Sequence, residues 1–226
     1  MGIQSRLKAI IFDLDGVLID SEPLWEEARR RFAASFAQKW TTEQNNGIIG
    51  MDSRRAYAYL SQELDVELPQ NVLQERLLGE LLALYGENLP VFPGSIDLVR
   101  NCAEFVPVGL ASSSSRRILD FAVGCLDLQE AFGCVVSGDE VKAGKPAPDI
   151  YVEACGRLNT TPSQAVAIED SDSGISAACS AGLVVIVVTG SGYATSVDRA
   201  GVIAHVDNVG ELTYELIAEA YASGRR

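Results

Sequence analysis

The chain has 226 residues, of which 47% are hydrophobic and 22% are charged, and its formal net charge is −13. This length and composition fit a globular protein with one large domain that carries a smaller insertion. The excess of negative charge argues against the basic surface by which proteins bind nucleic acids or anionic membranes. The sequence contains no run of the ~18 apolar residues that a membrane span requires.

The cysteines indicate a reducing compartment. They are odd in number, form no C-x-x-C pair and lie mostly in apolar stretches, as buried thiols do. The five are Cys102, Cys125, Cys134, Cys155 and Cys179. The N-terminal residues also lack the pattern of a secretory signal peptide. We therefore predict a cytoplasmic protein, monomeric or homodimeric, with neither a nucleic acid nor a membrane as its partner.

The first predicted element is a buried strand at Leu7–Phe12, and a helical segment follows it. From Ser21 to Leu89 the sequence has no good strand pattern but several amphipathic helical patterns. These are Pro23–Lys39, Ser53–Glu63 and Gln70–Tyr85. Turn residues such as Asn45-Asn46-Gly47 separate them. We predict a helical cap domain at 21–89, inserted into a catalytic core formed by 1–20 and 90–226.

Strands and helices alternate through the rest of the chain. Short apolar runs, rich in Val, Ile, Leu and Ala, are typical of strands buried on both faces of a parallel sheet. They are Val106–Ala111, Cys134–Ser137, Ala165–Ile168, Leu183–Val188 and a weaker run at Val202–Val206. The helical patterns are Ser95–Glu104, Arg116–Cys125, Asp149–Leu158, Ser173–Ala181 and Glu211–Ala222. This alternation predicts an α/β fold with a doubly wound, Rossmann-like parallel sheet.

Polar side chains follow four of the predicted strands. Asp13 and Asp15 follow the first strand, Ser112 follows the second, and Lys145 lies downstream of the third. Glu169 and Asp170 follow the fourth. Because ligands bind beyond the carboxyl ends of the strands in an open parallel sheet, we expect these side chains to form one site.

The types of these side chains indicate phosphoryl transfer. Asp13 and Asp15 lie two residues apart, so in a strand they point to the same side, although such a pair also occurs in caps and turns. With Glu169 and Asp170 they form a carboxylate cluster that suits Mg²⁺, which prefers oxygen ligands and also binds phosphate. Lys145 can compensate the charge of an aspartate and of a phosphoryl group.

These segments resemble the four motifs of the haloacid dehalogenase superfamily, in its phosphatase and β-phosphoglucomutase-like branch. The motifs occur in the family's order as Asp13-Leu14-Asp15-Gly16-Val17-Leu18-Ile19-Asp20-Ser21-Glu22, Leu110-Ala111-Ser112-Ser113, Gly144-Lys145-Pro146-Ala147-Pro148, and Ile168-Glu169-Asp170-Ser171 with Ser173-Gly174. The resemblance covers nearly the whole chain. The helical insertion is similar to the family's cap, which lies between the first and second motifs.

The resemblance implies catalytic roles for four matched residues. Asp13 would attack phosphorus and form an aspartyl-phosphate. Asp15 would protonate the leaving oxygen and then activate water, or an acceptor hydroxyl, for the second step. Ser112 and Lys145 would hold the transferring group. True dehalogenases lack the second aspartate, so Asp15 argues against dehalogenation.

The resemblance also implies a metal site. Mg²⁺ would bind the carboxylates of Asp13 and Asp170 and the backbone carbonyl of Asp15. Glu169 would be a direct or a water-mediated ligand. Mg²⁺ is therefore the predicted cofactor.

Four further residues are predicted to contact the substrate. Ser113 belongs to the second motif, and Gly50 and Arg54 lie in a segment similar to the family's cap loop that faces the active site. Arg54 and Arg116 can each pair with an anionic group of the substrate. Each can instead lie on a solvated surface or pair with surface acids.

We predict a Mg²⁺-dependent phosphatase that acts on a small phosphorylated metabolite such as a sugar phosphate. The alternative enzyme is a β-phosphoglucomutase-like phosphomutase. In those mutases a histidine stands near the position of Trp25, and a cap lysine grips the sugar phosphate, whereas this chain has no lysine between Lys39 and Lys142. A non-catalytic phospho-acceptor module is the rival from another class, but it would need neither Asp15 nor the helical insertion.

Overall fold

The structure, a computed structural model, describes residues 6–48, 51, 53–190, 192 and 199–224, and for Ser53 and Arg54 the backbone alone. The chain folds into two compact units, Met1–Asp20 with Pro90–Arg226, and Ser21–Leu89. The first unit is an α/β core, and the second is helical.

Within the described residues, six parallel strands in the order β3-β2-β1-β4-β5-β6 form the sheet of the core. The strands are β1 (Ala9–Phe12), β2 (Val108–Ser112), β3 (Phe132–Ser137), β4 (Ala165–Glu169), β5 (Val184–Val188) and β6 (Val202–Val206). This is the order of a Rossmann sheet, in which the direction of winding reverses between β1 and β4. The predicted fold class is confirmed.

The core helices pack on this sheet. They are α5 (Ser95–Ala103), α6 (Arg116–Cys125), α7 (Asp149–Arg157), α8 (Asp172–Ala181) and α9 (Tyr214–Gly224). α7 and α8 form one hydrophobic cluster with alternate residues of the strands, including Ile11, Ala167 and Val185. Strands β1, β2, β4 and β5 are buried throughout, which explains their continuous apolar sequence.

The helical unit contains α1 (Glu22–Ala34), α2 (Thr42–Ile48), α3 (Ser53–Glu63) and α4 (Gln70–Glu87). Its core includes Leu73, Leu77, Leu81 and Leu84, which recur at helical spacing on α4 and are buried. α1 packs against α4. The unit therefore has an apolar core of its own.

The sequence pattern missed α2. The prediction treats Asn45-Asn46-Gly47 as a turn, whereas the helix runs through these residues. A reciprocal cap begins it, because Thr41 N–H donates to Gln44 Oε1 (2.9 Å) and Gln44 N–H donates to Thr41 Oγ1 (3.2 Å). The buried Asn45 side chain accepts from Arg29 at 2.7 Å and from Trp40 at 3.1 Å. These tertiary bonds stabilise a segment of low helix propensity.

Two helix ends differ from the predicted ones by three residues or more. α1 ends at Ala34 rather than near Lys39, and Ala37 adopts a left-handed φ of 57°. α9 begins at Tyr214 rather than Glu211, because Glu211 takes part in a capping box that closes a short 3-10 turn. Among the helices that the structure describes, none is long and apolar enough to cross a membrane.

Candidate active site

β1 delivers two aspartates to the carboxyl edge of the sheet. Asp13 directly follows β1, and its N–H donates to the carbonyl of Ile168 in β4 (3.0 Å). Asp15 lies two residues further on, and Gly16 then takes a φ of 78°. A Cβ on Gly16 would lie 1.7 Å from Oδ2 of Asp170. Glycine therefore lets the loop after β1 approach the carboxylate that follows β4, at the reversal point where such sheets bind ligands.

Lys145 links the ends of β1, β2 and β4. Its Nζ donates to Asp13 Oδ1 and Glu169 Oε1 at 2.6 Å each, and to the carbonyl of Ala111 at 3.0 Å. These acceptors use all three ammonium hydrogens. The side chain is 4% exposed, and Nζ lies 5.2 Å from the centre of the Tyr151 ring. Lys145 is thus fixed against the predicted nucleophile.

Glu169 is fully buried, and its carboxylate accepts from five donors. Oε1 accepts from Lys145 Nζ and from the Tyr151 hydroxyl, at 2.6 Å each. Oε2 accepts from the N–H of Asp170 (3.0 Å) and from the N–H (3.3 Å) and hydroxyl (3.2 Å) of Ser171. Because a carboxylate offers about four lone-pair positions, this one is saturated. Its charge orients both Lys145 and the turn after β4.

Burial and charge shift two pKa values in this cluster. Burial raises the pKa of Asp13 well above its ordinary value, the Lys145 ammonium lowers it, and the neighbouring carboxylates raise it further. For Lys145, burial lowers the pKa, but the carboxylates of Asp13 and Glu169 raise it by more, so the charged form is stabilised. The cluster therefore carries more negative charge than its lysine compensates.

Three of these carboxylates could hold a cation. One oxygen from each of Asp13, Glu169 and Asp170 lies within 4.8 Å of the others, and all three residues are buried. A set of oxygen donors with excess negative charge suits Mg²⁺, Mn²⁺ or Ca²⁺. Since Glu169 already accepts five hydrogen bonds, Asp13 and Asp170 are the better placed direct ligands. Metal binding here, and at the backbone carbonyl of Asp15, stays a prediction.

Residues 112–115, which we call the serine loop, contact the second aspartate. Ser112 is buried, and its hydroxyl donates to Asp15 Oδ2 at 3.4 Å. Ser114 donates to the same oxygen at 3.0 Å, and its N–H donates to Ser112 Oγ at 3.1 Å. The structure thus brings together Asp15 and Ser112, although their catalytic roles stay predictions.

The side chain of Arg116 forms hydrogen bonds with other residues at the protein surface. Its guanidinium donates to Glu140 at 2.7 Å, to Asp120 at 3.1 Å and to the carbonyl of Val135 at 2.7 Å. This arrangement matches pairing with surface acids, one of the two roles that the sequence left open. Binding of a substrate anion by Arg116 would require some of these bonds to break.

The structure gives little information on the other residues that are predicted to contact the substrate. Ser113 is exposed in the serine loop. Gly50 and the side chain of Arg54 lie outside the described residues. Their contact with a substrate stays a prediction.

Sequence reasoning assigned no role to three residues that contact the predicted catalytic groups. Tyr151 donates to Glu169, Ser114 donates to Asp15, and Ser171 both caps α8 and donates to Glu169. The capping pattern of Ser171 could be found from its position before a helix. No sequence pattern indicates a role for Tyr151 in the site, because an aromatic residue on a buried helix face usually contributes only to packing.

We expect the Gly174→Ala variant to be less stable and less active. A Cβ on Gly174 would lie 1.7 Å from Glu169 Oε1, so the carboxylate that holds Lys145 would have to move. The free energy of unfolding in denaturant should fall by about 1–3 kcal/mol. Gly156 in α7 is the control, because no atom of the described residues lies within 4 Å of a Cβ there. Gly156→Ala should be neutral or stabilising by up to about 1 kcal/mol, and equal losses in both variants would contradict the steric argument.

Comparison with known proteins yields one family and several similar enzymes. Residues 7–182 match the family model of the haloacid dehalogenase-like hydrolases. The phosphorylated carbohydrates phosphatase of Thermotoga maritima is 38% identical over 182 residues, which are 78% of this chain and 82% of that protein. Hexitol phosphatase B of Escherichia coli (strain K12) is 32% identical over 192 residues, which are 83% of this chain and 86% of that protein.

Solved structures share the fold over most of the chain. CbbY from Rhodobacter sphaeroides, in complex with phosphate, has a TM-score of 0.77 and 28% identity, and the match covers 91% of this chain and 96% of CbbY. β-Phosphoglucomutase from Clostridium difficile has a TM-score of 0.78 and covers 96% of this chain and 98% of its own. At 24% identity the second likeness concerns the fold alone.

Proposed function

We propose that this chain, which belongs to the haloacid dehalogenase-like hydrolases, is a Mg²⁺-dependent phosphatase that hydrolyses a small phosphorylated metabolite through an aspartyl-phosphate. One observation carries the proposal. The buried carboxylate of Asp13 contacts the Lys145 ammonium at 2.6 Å and lies beside the carboxylates of Glu169 and Asp170. A buried carboxylate beside a fixed cation, at the ligand-binding edge of the sheet, is suited to attack an electrophilic phosphorus.

In the first step, a carboxylate oxygen of Asp13 bonds to phosphorus while the bond from phosphorus to the ester oxygen breaks. Asp15 gives its proton to that oxygen, so the product leaves as a neutral alcohol. In the second step, Asp15 takes a proton from water as the water oxygen bonds to phosphorus. The bond to Asp13 breaks, and both aspartates return to their starting states.

Lys145 and Ser112 would hold the transferring group through both steps. The Lys145 ammonium compensates charge on Asp13 in the resting site and can do the same for phosphoryl oxygens, which is the electrostatic part of catalysis. The hydroxyl of Ser112 lies on the same edge and can donate to a phosphoryl oxygen after turning from Asp15.

The residues present fit a Mg²⁺ ion. Asp13 and Asp170 would hold it together with the backbone carbonyl of Asp15, and Glu169 would act behind them, through a water or by keeping Lys145 in place. When bound, Mg²⁺ would compensate the negative charge of the phosphoryl group and of the carboxylates.

A sugar phosphate is the substrate class that we favour. The names of two relatives, a phosphatase of phosphorylated carbohydrates and a hexitol phosphatase, support this class. We propose that the helical unit, 21–89, acts as a cap and carries substrate specificity. A cap would favour small substrates over proteins.

A screen of phosphorylated metabolites tests the proposal. The purified chain is incubated with each compound and Mg²⁺, with and without a sugar bisphosphate, and both free phosphate and isomers are measured. We expect phosphate release that stops in EDTA and is absent from the Asp13→Asn variant. Isomer formation without net phosphate release would instead identify a phosphomutase. Phosphorylation without turnover would identify a phospho-acceptor module.

A further inference from the structure

The serine loop presents two hydroxyl groups to one oxygen of Asp15. Ser114 Oγ lies 3.0 Å from Asp15 Oδ2, whereas Ser112 Oγ lies 3.4 Å from it. A separation of 3.0 Å is within the ordinary range for a hydroxyl bond to a carboxylate, and 3.4 Å is long. Ser114 is therefore the stronger donor of the two to Asp15.

The backbone around Ser114 is fixed by neighbouring strands. Its N–H donates to Ser112 Oγ at the end of β2, and its carbonyl accepts from Ser137 Oγ at 2.8 Å. Ser137 is fully buried at the end of β3. The next residue, Gly138, has no room for a Cβ, which would lie 2.8 Å from the carbonyl oxygen of Ser113. The hydroxyl that reaches Asp15 thus stands on a loop held by two strands.

We propose that Ser114 is a positioning residue that orients Asp15 for proton transfer, with its hydroxyl on Oδ2 and the exchanged proton on Oδ1. This inference rests on the proposed function, in which Asp15 is the acid and then the base. In the first step the proton passes from Oδ1 to the leaving oxygen as the phosphorus–oxygen bond breaks. In the second step Oδ1 takes one proton from the attacking water. Ser114 donates to Oδ2 throughout and neither gains nor loses a proton overall.

Two substrates whose leaving groups differ in their need for a proton can distinguish a role of Ser114 in orienting Asp15 from a merely structural role. A sugar alkoxide leaves only when it is protonated, so its release depends on a well-oriented Asp15. p-Nitrophenolate is a stable anion and needs no proton. A loss of loop structure would impair both substrates alike, because Ser112 and the phosphoryl group are common to both reactions.

The experiment compares the Ser114→Ala and Ser114→Thr variants with the unchanged chain on two substrates, each with Mg²⁺. The substrates are p-nitrophenyl phosphate and the best sugar phosphate from the screen. For Ser114→Ala, kcat/KM for the sugar phosphate should fall about tenfold, a part of the ~10²–10⁴-fold that general acid–base catalysis supplies. For p-nitrophenyl phosphate the fall should stay below about twofold, since that ester needs little proton transfer. Ser114→Thr, which keeps a hydroxyl, should restore most of the loss.

Two further variants serve as controls for this comparison. Ser180→Ala, at an exposed position in α8, should leave both substrates unchanged. Asp15→Asn should lose more on the sugar phosphate than Ser114→Ala does. Equal losses on both substrates, or no loss on either, in a folded Ser114→Ala protein would overturn the positioning role while the phosphatase assignment stands. Failure of the unchanged chain to hydrolyse either ester, or full activity of Asp15→Asn, would instead overturn the proposed function.

Discussion

The Asp13→Asn variant is expected to lose turnover by about 10⁴-fold or more. An amide oxygen is a poor nucleophile, so no acyl-phosphate can form at this position. The amide also keeps the shape of the side chain, so the loss should appear without loss of the fold. Steady-state phosphate release measures it. Asp97→Asn, which changes an exposed aspartate in α5, is the matched control and should keep full activity.

The same variant should be more stable than the unchanged chain when no Mg²⁺ is present. The pKa of Asp13 is raised in the folded state, chiefly by burial, so its ionised form destabilises the fold at neutral pH. Stability linked to this group is complete below the ordinary aspartate pKa of about 3.9 and is lost as pH rises through the raised value. Asparagine stays neutral, so the variant should not lose this stability as pH rises. We expect a higher melting temperature at neutral pH and a smaller difference near pH ~4.

Added Mg²⁺ supplies a second test of the same variant. The melting temperature of the unchanged chain should rise with Mg²⁺, because a bound cation compensates the clustered carboxylates. In Asp13→Asn one proposed ligand has lost its charge, so the rise should be smaller. A lower stability of the variant in EDTA, or an equal response to Mg²⁺, would contradict this view of the cluster.

The Lys145→Met variant should lose both activity and stability. Methionine fills much of the same space but removes the only described cation that bonds to Asp13 and Glu169. Breaking a buried ion pair in this way leaves uncompensated charge and costs about 3–5 kcal/mol. Phosphatase activity should fall by about 10²–10³-fold, because a fixed positive charge beside the phosphoryl group is lost.

The pH dependence of unfolding gives a second expectation for the Lys145→Met variant. The pKa of Lys145 is raised in the folded state, so the stability that it contributes is complete below the ordinary lysine pKa of about 10.4. That contribution is lost as pH rises through the higher folded-state value. The variant should therefore lack this alkaline loss in denaturant unfolding. Lys142→Met, at an exposed position three residues earlier, should change stability by less than about 0.5 kcal/mol.

Most of the fold could be predicted from the sequence because the core strands are buried. Burial on both faces requires continuous apolar runs, and these mark β1, β2, β4 and β5 directly. The match of residues 7–182 confirms the family, and the named phosphatases among its relatives confirm the class of hydrolase. Helix α2 could not be found, because the bonds that stabilise Asn45 come from Arg29 in α1 and from Trp40 before the helix, and no residue pattern within 42–48 shows them.

The contact of Lys145 with Asp13 and Glu169 could be predicted, because each of the three lies at the end of a strand or in the loop after one, at the carboxyl edge of the sheet. The rule that ligands bind beyond the carboxyl ends of parallel strands predicts where these residues lie, but it does not predict their hydrogen-bond partners. It could not show that Lys145 uses all its hydrogens on three acceptors, or that Tyr151 completes the saturation of Glu169. The first depends on the path of the loop between β3 and α7, and the second on where α7 packs. The contact of Ser114 with Asp15 likewise depends on the backbone turn of the serine loop.

Chemical trapping of the intermediate tests the central claim most directly. The Asp15→Asn variant, which lacks the base for the second step, is mixed with Mg²⁺ and p-nitrophenyl phosphate, quenched in acid and reduced with borohydride. Reduction converts a phosphorylated aspartate to homoserine, which peptide mass spectrometry locates. We expect conversion at Asp13 and at no other aspartate. Release of p-nitrophenol with Asp13 unmodified, or conversion at a different residue, would contradict the assignment of Asp13 as the nucleophile.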